Sequence, residues 1–140
     1  MKKVMLSING EQDCGGVKNV TQFASVAEYY ENDGEIRIIY DDSAELGLEG
    51  VKSTLIISAD GMVIMERGGG EYGNIVVEQG RRHICEYNTE YGQLILGIFG
   101  KSVENRIESG VGSISMSYSI DVDSGFLSDN RIDIRLEEEV

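Results

Sequence analysis

Apolar and polar residues alternate strictly along the stretch GSISMSYSIDV at residues 112–122. Every second residue from position 114 is apolar, and the residues between them are serines and one aspartate. A strand directs alternate side chains to opposite faces, whereas a helix would spread both classes around its circumference. The same period recurs at residues 4–9 and 130–136, so the alternation predicts a chain made of half-buried β-strands.

Turn-forming dipeptides separate these runs. Asp33-Gly34 and Asp60-Gly61 each lie between strand-like segments, and Asp-Gly favours a two-residue type I′ hairpin. The 18 glycines suit turns that need positive φ, and the absence of proline leaves every backbone N–H free for a ladder. A single helical turn over residues 42–48 is the one exception that the pattern suggests. The sequence predicts nine to eleven strands, at residues 3–9, 18–31, 35–41, 51–58, 62–67, 74–79, 82–88, 92–99, 102–108, 112–122 and 130–138.

Consecutive strands joined by tight turns form a meander. An open sheet of this size would leave two unpaired edges and an apolar face, and closure into a barrel removes both. We therefore predict an all-β fold, a single up-and-down antiparallel barrel of about 8–10 strands over residues 1–140. Gly97 and Gly100, inside the apolar run LILGIFG, are expected to be the kinks at the barrel corners.

The charge balance limits the classes of partner. The formal net charge is −13, with 25 acidic residues against 12 Lys and Arg. Phosphate backbones and anionic lipid surfaces are bound by clustered Lys and Arg, so nucleic-acid and membrane-surface binding are disfavoured. The sequence shows no secretory h-region and no apolar run of membrane-spanning length, which predicts a cytoplasmic protein with Cys14 and Cys85 both reduced.

Neither a catalytic constellation nor a metal motif is evident. His83 and Cys85 lie two apart on a predicted strand, about 6.5–7 Å from each other by the strand rise, which is too far for a thiol–imidazole pair. A second histidine for a triad or metal site is absent, and haem would require His83 as its axial ligand. The stretch from Asp121 starts like a calcium loop but lacks its glycine and glutamate at the required places. We expect no catalytic residue, metal or cofactor.

Several short pieces in a fixed order resemble a known family. They are Arg67 after the hairpin DGMVIME, the turn YNTEYG at residues 87–92, the serine-alternating strand and the ending NRIDIRLEE. Their order and spacing resemble the YwiB-like bacterial family of unknown function, which covers most of the chain from about residue 30. The resemblance implies a calycin-like β-barrel and no reaction. The segment GGGEYG after Arg67 departs from the simpler hairpin expected there.

An arginine and several tyrosines are the candidate ligand-binding residues. An inward-pointing Arg67 would need an acidic partner or a ligand, and a buried tyrosine hydroxyl also needs a partner. Together they could hold an anion by charge-assisted hydrogen bonds. The alternative is that Arg67 lies on the rim, paired with a glutamate, and the tyrosines cap the core. The candidate set is Arg67, Tyr87, Thr89, Tyr91, Tyr40 and Tyr118.

Two functions remain open at this point. One is a non-catalytic barrel that binds a small, partly apolar or anionic ligand in its interior. The other is a structural or protein-interaction module with a barrel filled by side chains and an acidic surface. An enzyme is the weakest hypothesis, because no acid, base and nucleophile can be assembled. Ligand identity and oligomeric state are not encoded in any motif of this chain.

Overall fold

The computed structural model describes residues 2–41, 52–67, 74–89, 92–122 and 125–138, without the side chains of residues 67, 87–89 and 126. Every regular element in these ranges is a strand, which confirms the predicted all-β fold. The predicted helical turn over residues 42–48 lies outside the described residues. The ten strands are β1 Lys2–Cys14, β2 Val17–Asn32, β3 Glu35–Asp41, β4 Lys52–Ile57, β5 Val63–Arg67, β6 Asn74–Val77, β7 Arg82–Thr89, β8 Gly92–Glu108, β9 Val111–Val122 and β10 Gly125–Glu138.

All ten strands belong to one antiparallel sheet in the order β6-β5-β4-β3-β2-β1-β10-β9-β8-β7. Chain neighbours pair along this order, and β1 also pairs with β10 over ten residue pairs from Val4↔Glu138 to Asp13↔Asp129. The sheet therefore curls until its two outer strands, β6 and β7, come side by side. This is the nearly closed up-and-down barrel that the meander predicts. That residues 1–140 form a single domain stays a prediction.

The barrel closes at a seam between β6 and β7. In the described parts of the chain these two strands share no backbone ladder. The turn that joins them, residues 78–81, is instead bonded to β8. The Gly80 N–H donates to the Gly100 carbonyl at 2.8 Å, and the Gly100 N–H donates to the Arg81 carbonyl at 3.0 Å. These two hydrogen bonds fasten one end of the seam.

Gly100 and Gly97 have different roles, and only one of them matches the prediction. The pairing of β8 with β9 shifts register between Gly100 and Ser102, so this bulge joins the two predicted strands at 92–99 and 102–108 into one bent strand. A Cβ on Gly100 would lie 2.2 Å from the Glu78 carbonyl oxygen, so the close approach of the turn requires glycine. The prediction that Gly97 is a second corner is wrong. Gly97 leaves room for an ion pair on the outer face, because its Cβ would meet the Arg82 guanidinium at 2.3 Å.

The predicted turns are partly confirmed. Asp33 and Gly34 have φ values of 52° and 83°, the two positive values that a type I′ turn requires. Asp60-Gly61 does not form such a hairpin, and that prediction is wrong. The Ser58 N–H donates to the Met62 carbonyl at 2.9 Å, so the turn spans five residues. The Met62 N–H donates to the Ser58 hydroxyl at 3.0 Å, and this local bond selects the wider loop.

The core fills the part of the barrel that lies towards the β8–β9 turn. Interior-facing positions alternate along each strand, and the fully buried ones include Leu6, Ile38, Ile98 and Ile114. Tyr29 lies at the end of the interior near the β8–β9 turn, where its hydroxyl donates to Glu31 at 2.5 Å. Burial, with the Glu31 hydrogen bond, raises the pKa of Tyr29 to about 12, so the phenol stays neutral at physiological pH. We call the end of the barrel at Tyr29 the closed end.

The alternation predicts a large difference between two isoleucines of β8. Ile98 is 0% exposed and Ile95 is 54% exposed. We expect Ile98→Ala to lower the free energy of unfolding by about 2–5 kcal/mol, because it removes buried methylenes and leaves a cavity. Ile95→Ala should change it by no more than about 0.5 kcal/mol. Urea denaturation measures both, and equal effects would contradict the assigned strand register.

Gly100→Ala tests the closure of the seam. The new methyl group must displace a backbone carbonyl, so we expect a loss of about 1–3 kcal/mol in unfolding free energy. Gly97→Ala is the matched control, since the Arg82 side chain that it meets can rotate into solvent, and its loss should be clearly smaller. Thermal or urea unfolding of the two variants provides the comparison. A larger loss for Gly97→Ala would show that the 78–81 turn is not what holds the barrel shut.

Candidate functional site

An open cavity of about 490 Å³ lies at the end of the barrel opposite the closed end. We call it the mouth cavity. Its described apolar wall comes from β6, β8, β9 and β10, through Ile75, Leu96, Ile120 and Ile132. Ligand sites typically have volumes of about 300–1,000 Å³ and mostly apolar walls with a few polar groups, so the mouth cavity is of a suitable size. Its remaining lining residues are Gly10, Glu11, Gln12, Asn19, Thr21, Tyr118, Asn130 and Arg131.

Three amide side chains form a row across the mouth cavity. Gln12 of β1 is the register partner of both Asn19 on β2 and Asn130 on β10. We call these three residues the amide row. Gln12 and Asn130 both donate from their amide nitrogens to the hydroxyl of buried Ser128, at 3.4 and 3.0 Å. This shared acceptor orients two of the three amides.

Gly10 helps to keep the cavity open. It lies on the interior-facing series of β1, between Ile8 and Gln12, and pairs with Thr21 and Ile132. A Cβ at this position would lie 2.8 Å from the Thr21 hydroxyl oxygen. The missing side chain therefore marks the level at which the packed core ends and the mouth cavity begins.

Two of the candidate tyrosines have described side chains, and they lie in different places. Tyr118 is 5% exposed, lines the mouth cavity and is the register partner of Asn130. Tyr40 is half-buried, and its ring packs against Phe23 with centroids 5.7 Å apart. Tyr40 does not line the mouth cavity. The structure therefore brings Tyr118, and not Tyr40, to the site.

The other four candidates are known at most by their backbone. Arg67 pairs with buried Ser53, and Ser53 pairs in turn with Tyr40. By register, position 67 continues the row of Tyr40 and Ser53 from β3 and β4 onto β5. Tyr87 and Thr89 pair with Leu94 and Gly92, and their side chains lie outside the description, as does the whole of Tyr91. The joint role of Arg67 and these residues in binding stays a prediction.

His83 and Cys85 have separate partners. The His83 Nε2 is 2.8 Å from a Glu78 carboxylate oxygen, at the base of the seam. The Cys85 Sγ accepts a hydrogen bond from the Val76 N–H at 3.4 Å, which is a direct link between β7 and β6. Burial raises the pKa of the Cys85 thiol, against a smaller opposing effect of this bond, so the thiol form is favoured at neutral pH. This environment disfavours a thiolate nucleophile.

Asp121, where the calcium-like stretch begins, forms an ion pair on the outer face of the barrel. Asp121 makes a two-pronged ion pair with Arg82 across Gly97, at 2.6 and 3.1 Å. That guanidinium lowers the pKa of the Asp121 carboxyl. Asp123 lies outside the described residues. Within the described ranges, no group of three or more His, Cys, Asp or Glu is placed to hold a metal ion, and no helix could span a membrane.

The amide row was not predicted from the sequence. Its signal was present, because Ile8, Gly10 and Gln12 continue the even-numbered interior series of β1 beyond residue 9. The glycine obscured it, since a lone glycine after a strand-like run is typical of a turn. Polar residues at interior positions near a strand end were the indication of an open barrel mouth.

Comparisons with known proteins agree with the barrel. A family model described as "Domain of unknown function (DUF1934)" matches residues 6–134. The uncharacterized beta-barrel protein YwiB of Bacillus subtilis (strain 168) is 25% identical over 119 residues, which cover 85% of this chain and 82% of that protein. These matches confirm the resemblance to the YwiB-like family.

The crystal structure of the ywiB protein from Bacillus subtilis has the same fold. It superposes with a TM-score of 0.82 at 22% identity, covering 99% of this chain and 93% of the other. At this identity the likeness concerns the fold alone. It confirms the barrel prediction, while the finer assignment to the calycin-like group stays a prediction.

The sulfur of Cys85 has a structural role that substitution can test. Cys85→Ala leaves the Val76 N–H without its acceptor and removes a buried group, so we expect the unfolding free energy to fall by about 1–3 kcal/mol. Cys85→Ser keeps an acceptor and should lose less. Cys14→Ala, at the less buried end of β1, is the control and should change stability little. An equal loss for Ala and Ser at position 85 would mean that the sulfur contributes only packing.

Proposed function

Because the chain belongs to the family of the domain of unknown function DUF1934, we propose a function from the geometry of its barrel, namely non-catalytic binding of a small, partly apolar ligand. The observation that carries this proposal is the mouth cavity, which is about 490 Å³ in volume and combines an apolar wall with a few polar groups. A barrel of eight or so strands has an interior of the right width for one small ligand. The ten-stranded sheet described above is somewhat wider.

The core supports this proposal by filling only part of the interior. Large side chains such as Leu6 and Ile114 pack tightly in the interior towards the closed end, where Tyr29 lies. On β1, β2 and β10 the lining positions nearest the mouth carry a glycine, a threonine and amides instead. A side-chain-filled barrel would need bulky residues there, so the interaction-module alternative has less support from this region.

The non-catalytic part of the proposal is supported by the two reactive side chains of β7. His83 is bonded to Glu78, and the buried Cys85 thiol is bonded to the β6 backbone. Each has a partner that serves the seam. Neither residue lines the mouth cavity.

Filling the mouth cavity tests the proposal. Thr21 lies on the interior face of β2, and its neighbour Val20 is on the outer face and 67% exposed. Native mass spectrometry of freshly purified protein should show a retained small molecule on the unchanged protein and on Val20→Trp. Thr21→Trp should lose it, because the indole occupies the ligand volume.

Circular dichroism of both variants verifies that each one folds. Retention of the same molecule by Thr21→Trp would place the ligand elsewhere. If native mass spectrometry finds no bound molecule in any of the three samples, the result would contradict the proposed function and favour the structural or interaction module.

A further inference from the structure

We propose that the ligand of the mouth cavity is an uncharged amphipathic molecule whose polar end carries hydroxyl groups. This inference rests on the proposed function and adds the chemical class of the ligand. It follows from the kind of polar group that faces the cavity, from the pairing of the charges at its border and from the separation of polar and apolar walls.

The amide row supplies neutral polar groups that can both donate and accept. Each amide carries two N–H donors and a carbonyl acceptor. In the described parts of the chain, the Gln12 and Asn130 amides each make one side-chain hydrogen bond, to Ser128. Both donate in it, and each amide has a carbonyl acceptor and a second N–H donor besides. Hydroxyl groups, which donate and accept, are the natural counterparts of such a row.

Two charged residues belong to the described lining, Glu11 and Arg131. Both lie on the outward-facing series of their strands and are already compensated. Glu11 is 3.3 Å from the Lys18 ammonium, and Arg131 is 3.1 Å from the Asp133 carboxylate. Glu11 and Arg131 are also cross-strand partners of opposite sign. A charged ligand would therefore lose hydration without gaining an unpaired counter-charge from these residues, which is costly. The net charge of −13 opposes an anion further.

The polar and apolar walls lie mostly on different strands, and β10 alone contributes to both among the described lining residues, through Asn130 and Ile132. The amide row spans β2, β1 and β10, whereas Ile75, Leu96 and Ile120 come from β6, β8 and β9. Leu96 and Ile120 are largely buried by the protein itself. A ligand that satisfies both walls has one apolar part and one hydroxylated part.

Three probes with the same six-carbon chain test the inference, namely hexyl β-glucoside, 1-hexanol and hexanoate. Titration calorimetry on the full chain should give the tightest binding for the glucoside, at least tenfold tighter than hexanoate, with hexanol between them. Gln12→Leu and Asn130→Leu should each weaken glucoside binding about two- to tenfold, the effect of a lost neutral hydrogen bond. Neither change should weaken hexanol binding.

Gln22→Leu is the matched control, because Gln22 is an exposed amide on the outer face of β2. It should leave all three affinities unchanged. Tightest binding of hexanoate, abolished by Arg67→Met, would overturn the inference in favour of an anionic ligand and leave the proposed function standing. Failure of all three probes would also overturn it. Native mass spectrometry of Thr21→Trp, which shows whether the small molecule is still bound, tests the proposed function separately.

Discussion

Two backbone hydrogen bonds between Gly100 and the 78–81 turn fasten the seam at which this sheet closes into a barrel. The ladders from β6 to β7 produce a long curled sheet, and these bonds to β8, the Val76–Cys85 link and the His83–Glu78 contact hold its two outer strands together. Without them the apolar interior face would meet water. The packed core, the closed end and the mouth cavity all depend on this fastening.

The interior changes character along its axis. Near the closed end, large aliphatic side chains interlock and the Tyr29 phenol is held by Glu31. Burying each such aliphatic side chain stabilises the fold by about 1.5–3 kcal/mol. At the mouth, Gly10 and the amide row replace bulky residues and contribute little of this stabilisation. One end of the barrel is thus a packed core, and the other is an open cavity.

The architecture could be predicted from the sequence because apolar residues recur at every second position of a strand, and those positions are the ones buried in the barrel. In the serine-alternating stretch of β9, each apolar residue from Ile114 to Ile120 is buried in the barrel. The Asp33-Gly34 turn was readable for a local reason, since its two positive φ values are set by those residues alone. The wider loop at Asp60-Gly61 was not, because the Ser58 hydroxyl competes for the Met62 N–H.

The site was less readable because it depends on contacts between distant strands. Tyr118 was predicted from its strand and does line the mouth cavity. The amide row adds residue 130 to residues 12 and 19 of the β1–β2 hairpin, and the pairing of β1 with β10 is what brings it there. The role of Gly97 was hidden for the same reason, since it serves an ion pair between β7 and β9. No local pattern encodes such pairings.

The pairing of β1 with β10 also has a consequence for biosynthesis. β1 is the first of the ten strands to leave the ribosome and β10 the last, yet each completes the other's ladder. Until then β1 has a partner on one side only, and its free edge can recruit other chains. Because this ladder joins strands far apart in sequence, it forms slowly and leaves apolar surface exposed until it does. Chaperone protection of the nascent chain is therefore most valuable in the interval before the final strand emerges.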